Sequence, residues 1–263
     1  MSDAFDLARF EAECARRELT LGRAATFCDE TTSTNDDALA AAKSGAAHGR
    51  LFGAERQTRG RGRRGSEWIS APGAGLWVSL LLRPELSAEL APGLALCAGL
   101  AVREAVAARV SEPVLVKWPN DVLAGGRKLA GVLVESQITG SKLTSVVVGI
   151  GINITQTEFP EPISKIATSL ALLGASNDAR EPLLADVLSS FATQLEHLKN
   201  QGMAGIAEVL RPHDALFGRR LRIEAVEGTG AGIDSSGRLL VRSTNGQLRS
   251  LASGHIELLE GLG

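Results

Sequence analysis

A short segment of the chain concentrates positive charge among glycines. Glycine lets backbone N–H groups approach a ligand closely, and the guanidinium fork of arginine matches the oxygens of phosphate and carboxylate. The pattern favours a loop that binds an anion, and two alternatives stay open: a solvated basic loop, and an arginine–glycine segment for nucleic acid. The residues are Arg56, Arg59, Gly60, Arg61, Gly62, Arg63, Arg64 and Gly65.

A second candidate site combines the motif KWPND, residues 117–121, with Lys128. Proline fixes its own φ and biases the preceding residue towards extended backbone, so this motif is a stiff turn. In one interpretation Asp121 is a magnesium ligand or loop organiser and Lys117 is directed at phosphate. In the other, Asn120 and Asp121 bond the local backbone. Lys128 precedes apolar residues, where a lysine is either paired or at an exposed strand edge.

The elements that must position these residues follow an α+β pattern. Apolar periodicity predicts helices over residues 6–19, from Ser33 or Thr34 as cap to Gly45, over 90–110 and over 183–198, with a break at Gly202 and a short helix over 204–210. Runs of strand length cover 50–55, 75–82, 114–116, 122–124, 128–136 and 143–154. The Gly125-Gly126 pair predicts a hairpin between two of these runs.

The last fifty or so residues have a different pattern of short strands and close turns. Strands are predicted over 220–226, 232–234, 238–242 and 248–251, separated by turns at 227–228, 236–237 and 245–246. This spacing favours a small five-stranded barrel, with a domain boundary near residue 212.

Composition and charge exclude several classes of protein. The 263 residues are 44% hydrophobic and 22% charged, which argues against a disordered chain. The net charge of −2 gives no overall attraction to nucleic acid or membrane, and charges interrupt the apolar stretch over 90–110. Three cysteines without C-x-x-C spacing, and no signal peptide, favour the cytoplasm. Zincin, serine-hydrolase and P-loop motifs are absent from the sequence.

Five motifs occur in an order that resembles the bacterial biotin–protein ligases. They are STN at 33–35, Gln57 with GRGRRG at 60–65, KWPND at 117–121, RKLAG at 127–131 and GIGIN at 149–153. The resemblance implies a mixed β-sheet flanked by helices over residues 1–212 and an SH3-like barrel over 213–263. With about 25 residues before the ligase region, we expect the form without an N-terminal helix-turn-helix repressor domain.

The resemblance also implies a two-step activity. ATP activates the biotin carboxylate as biotinyl-5′-adenylate and releases pyrophosphate, and a lysine of a biotin carboxyl carrier domain then attacks the adenylate. Biotin, ATP and Mg²⁺ are the implied ligands, and no nucleic acid or membrane partner is expected. A monomer and a homodimer both fit the sequence.

The motifs assign roles to particular residues by resemblance. Residues implied in catalysis are Lys128, Arg63, Lys117 and Asp121, the last as a candidate magnesium ligand. Residues implied in binding biotin are Ser33, Thr34, Asn35, Gln57, Arg61, Gly62, Arg63, Lys128, Gly149 and Gly151. Residues implied in binding ATP or the adenylate are Arg61, Arg63, Arg64, Trp68, Lys117, Asn120, Lys128 and Asn153. For Trp68, stacking on adenine and simple core packing are nearly equal interpretations.

Three rival functions and one departure qualify this interpretation. A lipoate or octanoate ligase shares the fold, but KWPND followed by RKLAG favours biotin. A nucleic-acid-binding protein is opposed by the net charge, and a protein that only holds biotin is opposed by the full set of charged residues. An extra Arg59, together with Ser66 and Glu67, leaves loop closure and adenylate retention open.

Overall fold

A seven-stranded mixed sheet forms the framework of the protein. The computed structural model describes residues 4–140, 142–175 and 180–259. The strands run in the order β1-β2-β3-β7-β6-β5-β4, and all neighbouring pairs are antiparallel except β1 with β2. The strands are β1 (Ala25–Thr31), β2 (Leu51–Gln57), β3 (Gly75–Leu82), β4 (Val114–Lys117), β5 (Asp121–Ala124), β6 (Arg127–Thr139) and β7 (Lys142–Asn153).

Helices cover both faces of this sheet, which confirms the predicted α+β class. Successive strand residues point to opposite faces, and the core divides accordingly. Phe52, Leu81 and Val147 pack against α2, whereas neighbouring strand residues such as Leu80 and Val148 belong to the larger core with the other helices. The helices are α1 (Leu7–Arg16), α2 (Thr34–Lys43), α3 (Ala91–Ala107) and α4 (Arg180–Leu210).

Helix α3 is more apolar than α1, α2 and α4. By length and composition the segment Ala88–Ala107 could cross a membrane. Most of its side chains are instead buried against the strands β4 to β7 and against α4. Core packing therefore accounts for its apolar composition.

Two predictions from glycine are confirmed. Gly125 and Gly126 both have positive φ, at 54° and 77°, and form the turn between β5 and β6. Gly202 has φ 61° and ψ −157°, so it interrupts the helical backbone of α4 where the sequence predicted a break.

The C-terminal strands form a separate antiparallel sheet in the order β11-β10-β9-β8-β12. The sequence prediction of one strand over 220–226 is wrong, because the chain turns at Glu224, whose φ is +52°. Glu227 and Gly228, predicted as a turn, lie inside β9 and pair with β8. The strands are β8 (Arg220–Ile223), β9 (Val226–Ile233), β10 (Leu239–Ser243), β11 (Leu248–Leu251) and β12 (Ile256–Leu258).

A buried ion pair fastens α4 to β2. Arg180 donates from Nη1 to Glu55 Oε2 at 2.7 Å and from Nη2 to Oε1 at 2.9 Å. The backbone N–H of Phe5 also donates to Glu55 Oε1 at 2.6 Å. Burial alone would raise the pKa of Glu55, but these hydrogen bonds favour the charged form and hold the pKa below its ordinary value. One carboxylate therefore ties the N-terminal segment and α4 to the sheet.

Replacing Glu55 by glutamine should lower the free energy of unfolding by about 3 kcal/mol near neutral pH, because it removes the carboxylate that compensates a buried guanidinium. A lowered carboxyl pKa stabilises the fold above the ordinary glutamate pKa, and this contribution is lost as pH falls through the folded-state value. The difference between wild type and Glu55→Gln should therefore shrink in acid, as measured by urea unfolding at several pH values. Glu30→Gln, which removes an exposed partner of Arg56, is the control and should cost less than about 1 kcal/mol. A loss that does not change with pH would contradict this account.

Candidate active site

A cleft of about 610 Å³ opens between the arginine–glycine loop, the strands β6 and β7, the KWPND turn and the barrel. Every residue that the sequence assigned to catalysis or binding lines this cleft, with the exception of Asn153. The lining residues are Ser33, Thr34, Asn35, Gln57, Arg61, Gly62, Arg63, Arg64, Trp68, Lys117, Asn120, Asp121, Lys128, Gly149 and Gly151. Motifs far apart in sequence thus surround one space.

The floor of the cleft is a network of uncharged polar groups. The side-chain amide of Gln57 is held in one orientation, because its Oε1 accepts the backbone N–H of Thr34 at 2.9 Å and its Nε2 donates to Ser70 Oγ at 2.9 Å. The buried hydroxyl of Ser79 lies 2.7 Å from Thr34 Oγ1 and 2.6 Å from Asn35 Oδ1. The floor therefore offers oriented donors and acceptors in an otherwise apolar sheet.

The predicted N-cap of α2 is confirmed in its position, but not in its capping contact. Ser33 occupies the N-cap position of α2, but its side chain makes no capping hydrogen bond. Thr34 is already the first residue of the helix and is buried at the floor. Both residues line the cleft.

Three glycines allow side chains to lie directly on the sheet. A Cβ on Gly149 would overlap Asn35 Oδ1, and a Cβ on Gly151 would lie 2.6 Å from Trp68 Cε2. Gly131, paired with Gly151 across β6 and β7, is covered by the same indole. Trp68 thereby lies in the wall of the cleft, with its ring centre 5.3 Å from Lys128 Nζ.

Positive charge collects at the other end of the cleft. Lys128 forms an ion pair with Asp121, with 2.7 Å between Nζ and Oδ1, so the paired interpretation of this lysine is the correct one. Partial burial and the neighbouring Arg64 lower the pKa of Arg63, while Asp121 opposes that shift. Burial also lowers the pKa of Lys117. The positive charge of Lys128 lowers it further, whereas the carboxylate of Asp121 opposes the shift. Three cations thus adjoin one carboxylate, and this excess favours an anionic ligand.

The KWPND turn is held by backbone contacts and by the barrel. Asn120 donates from Nδ2 to the carbonyl of Val132 at 2.7 Å, which is the backbone-bonding role that the sequence left open. Lys117 Nζ donates to the carbonyl of Ile256 at 3.3 Å, and the Trp118 indole N–H donates to the carbonyl of Gly237 at 2.9 Å. The carbonyl groups of Ile256 on β12 and of Gly237 between β9 and β10 thus hold two residues of the cleft in position.

The arginine–glycine loop is folded and anchored by acidic side chains. Arg61 donates to both carboxylate oxygens of Asp36 at 2.7 Å and lies 3.5 Å from Glu135 Oε2. Beyond it, Ser66 Oγ donates to the carbonyl of Arg63 at 2.9 Å. Arg61 therefore closes the loop onto α2 and β6.

Asn153 does not reach the cleft, contrary to the predicted contact with ligand and nucleotide. Its side chain is buried, and its amide donates to the carbonyl of Thr168 at 3.0 Å. Asn153 instead holds the segment after β7, which returns to pair with Lys128 through the bridge between Lys128 and Ala167.

Several residues of the site were not predicted from the sequence. Ser79 is a polar residue inside an apolar strand and Glu135 ends an apolar run, so each carried a signal that was available. Gly254, His255 and Ile256 of the barrel also line the cleft, and nothing in their spacing indicated this.

Comparison with known proteins relates the chain to one family. A family model described as the biotin/lipoate A/B protein ligase family matches residues 27–153, and one described as the biotin protein ligase C terminal domain matches residues 218–259. The bifunctional ligase/repressor BirA of Bacillus spizizenii is 33% identical, over 90% of this chain and 75% of that protein. The biotin–[acetyl-CoA-carboxylase] ligase of Mycobacterium tuberculosis is 37% identical, over 80% of each chain.

Solved structures agree with this relationship. The biotin protein ligase from Aquifex aeolicus, in complex with biotin and ATP, has a TM-score of 0.73 and 31% identity. The match covers 90% of this chain and 98% of that one.

Replacing Gly149 by alanine should lower the free energy of unfolding by about 1–3 kcal/mol, because the new methyl group overlaps the Asn35 amide in a packed site. Urea unfolding measures the loss. Asn35→Ala, introduced into the Gly149→Ala background, removes the overlapping atoms and should recover part of it. A double variant with fully additive losses would show that the overlap is not the cause.

Proposed function

The chain belongs to the biotin/lipoate A/B protein ligase family, and from this premise we propose how its cleft performs the reaction of a biotin–protein ligase. One observation carries the proposal: an uncharged polar floor and a cluster of three cations share a single cleft. The polar floor matches the neutral ring of biotin. The cations match the biotin carboxylate and the triphosphate of ATP.

The floor is the site for the biotin ring. Thr34, Asn35 and Gln57 meet the ureido group, and apolar residues that line the cleft, such as Leu133 and Ile150, enclose the ring and the alkyl chain. A lipoate dithiolane has neither N–H nor C=O, so it would leave these polar groups without partners. Such a site rejects a ligand that lacks the hydrogen-bonding groups, which favours biotin over lipoate.

The cations serve the first step. The biotin carboxylate oxygen attacks the α-phosphorus of ATP, the bond from that phosphorus to the bridging oxygen breaks, and pyrophosphate leaves. Lys128 lies against the carboxylate and the α-phosphate, and Arg63 and Lys117 stabilise the negative charge that builds on the phosphates. Asp121 keeps these cations together before the ligands bind.

The second step transfers the acyl group to an amine. The ε-amine of an acceptor lysine attacks the carbonyl carbon of the adenylate, loses a proton to solvent or a nearby base, and expels AMP. The loop that carries Arg61 and Arg63 covers the mixed anhydride and excludes water, which would otherwise hydrolyse it. Trp68 stacks on the adenine ring, and in support of this role its ring lies beside Lys128 in the wall of the cleft.

Magnesium fits this site as an ion that enters with ATP. Mg²⁺ is commonly held by one or two carboxylates together with substrate phosphates. Asp121 is the carboxylate among the cations, and within the described residues no group of three metal-ligating side chains occurs. Asp121 would hold the ion, whose chemistry is to neutralise phosphate charge.

The acceptor is a biotin carboxyl carrier domain of a biotin-dependent carboxylase, and the compartment is the cytoplasm. In support of the latter, all three cysteines, which lie within the described residues, are thiols. We place the boundary between the catalytic domain and the barrel near residue 212, since α4 ends at Leu210 and β8 begins at Arg220.

Purified protein should catalyse exchange of label between pyrophosphate and ATP when biotin is present. Added carrier domain should then acquire biotin in proportion to enzyme. Lipoate and octanoate serve as matched acids in the same assay. Exchange with lipoate but not with biotin would overturn the assignment of substrate.

Replacing Lys128 by alanine should lower the exchange rate by about 100-fold or more, because it removes fixed charge from the reacting oxygens, while the thermal midpoint changes little. Lys199→Ala removes an exposed lysine of α4 and is the control for loss of charge alone. Normal exchange by the Lys128 variant would exclude the role proposed for this lysine.

A further inference from the structure

A carboxylate lies directly behind the polar floor. Glu135 on β6 is partly buried, with 32% of its side chain exposed. Its Oε2 accepts a hydrogen bond from Asn35 Nδ2 at 2.6 Å and lies 3.5 Å from Arg61 Nη2. Asp36, on the same helix as Asn35, bonds Arg61 from the other side. Glu135 thus contacts both the floor and the loop.

The charge of Glu135 fixes which way the Asn35 amide points. An ionised carboxylate only accepts hydrogen bonds, so the amide atom 2.6 Å away must be the nitrogen. The amide oxygen of Asn35 is therefore turned to Ser79, where it only accepts. The Asn35 Nδ2 also lies 3.5 Å from the carbonyl oxygen of Leu133, a much longer contact than the one to Glu135. Since an amide can be reversed at almost no steric cost, Glu135 supplies the stronger of the two contacts that oppose the reversed orientation.

The orientation of Asn35 then fixes the two hydroxyl groups of the floor. Ser79 has one hydroxyl hydrogen, and the amide oxygen of Asn35 requires it. The 2.7 Å contact between Ser79 Oγ and Thr34 Oγ1 must then use the hydrogen of Thr34. Gln57 Oε1, 3.1 Å from Thr34 Oγ1, is a second acceptor for that hydrogen, but two hydroxyl oxygens 2.7 Å apart need a hydrogen between them, whereas Gln57 Oε1 already has the Thr34 N–H as a donor.

The result is a chain of hydrogen bonds with one direction, from Thr34 through Ser79 and Asn35 to Glu135. With its hydrogen used inside the chain, Thr34 Oγ1 presents lone pairs to the cleft, where it can accept from a ligand N–H. Bonds aligned in this way polarise one another, and the chain ends on a negative charge.

We propose that Glu135 is a positioning residue that selects a ligand with a ring N–H by setting the direction of this chain. The proposal rests on the proposed function, because the N–H in question is that of the biotin ureido group. Glu135 acts through Asn35 and Ser79 and touches no reacting atom.

Glu135→Gln should raise the biotin KM about ten-fold while leaving kcat within a factor of about two. A neutral amide can either donate to or accept from Asn35, so both directions of the chain become available and only one fits the ligand. Exchange of pyrophosphate with ATP, measured over a range of biotin concentrations, gives both constants. Glu30→Gln, an exposed glutamate paired with Arg56, is the matched control and should leave both unchanged.

Asp36→Asn separates the two contacts of Glu135. It removes the other carboxylate from Arg61 without changing a member of the chain. If this variant raises the biotin KM as much as Glu135→Gln does, the effect belongs to Arg61 and the proposal is overturned. A much smaller rise supports it.

Ser79→Ala tests the chain at its middle and keeps the proposal testable if the Glu135 variant does not fold. It should raise the biotin KM by a similar factor, and the double variant should show no further rise, because one chain is broken in both. Independent, additive effects would overturn the proposal.

An N-methylated ureido analogue of biotin should be discriminated against by wild type and less so by either variant.

These experiments distinguish a failure of the proposed function from a failure of the role proposed for Glu135. Wild type that performs no exchange with biotin contradicts the proposed function itself. Wild type that exchanges with biotin, beside a Glu135 variant of unchanged KM, contradicts only the role of Glu135.

Discussion

Three cations must stay together in one cleft before any anion arrives, and this constraint explains much of the structure. Lys117 and Lys128 repel each other, Arg64 repels Arg63, and the carboxylate of Asp121 attracts Arg63, Lys117 and Lys128. The β4–β5 turn places Asp121 opposite Lys117, and the next hairpin returns Lys128 to it. Carbonyl groups of the C-terminal sheet and of its β9–β10 connection hold the β4–β5 turn, so these strands take part in keeping the charge in place. A net charge of −2 for the chain conceals this local excess.

The polar floor solves the opposite problem, since it must recognise a neutral ring within an apolar sheet. Here the donors and acceptors are oriented by one another, and each amide has a single allowed direction. Glycine at 149 and 151 lets Asn35 and Trp68 lie directly on the strands, where any side chain would displace them. The two ends of the cleft therefore use different physics, fixed dipoles at one and uncompensated charge at the other.

Local patterns predicted the elements well wherever burial and turn chemistry agree. The eight buried residues of β3, which are apolar apart from Ser79, the Gly125-Gly126 hairpin and the break at Gly202 all follow from apolar patterning and from positive φ. The prediction failed between residues 220 and 228, where Glu224 makes a tight turn without a glycine and the Glu227-Gly228 pair continues a strand. Residues such as glycine favour a turn locally, but hydrogen bonding to a neighbouring strand outweighs this preference.

The sequence by itself determined the family resemblance, the α+β class and most of the polar and charged residues that line the cleft, because the motifs that carry chemistry are short and lie in fixed order. Only the tertiary structure decided what each polar group faces. It paired Lys128 with Asp121, turned Arg61 to Asp36, buried Asn153 against Thr168 and placed Glu135 behind Asn35. Such partners are separated by up to a hundred residues in the chain, and hydrogen bonds and ion pairs act over only a few ångströms, so no local pattern in the sequence specifies them.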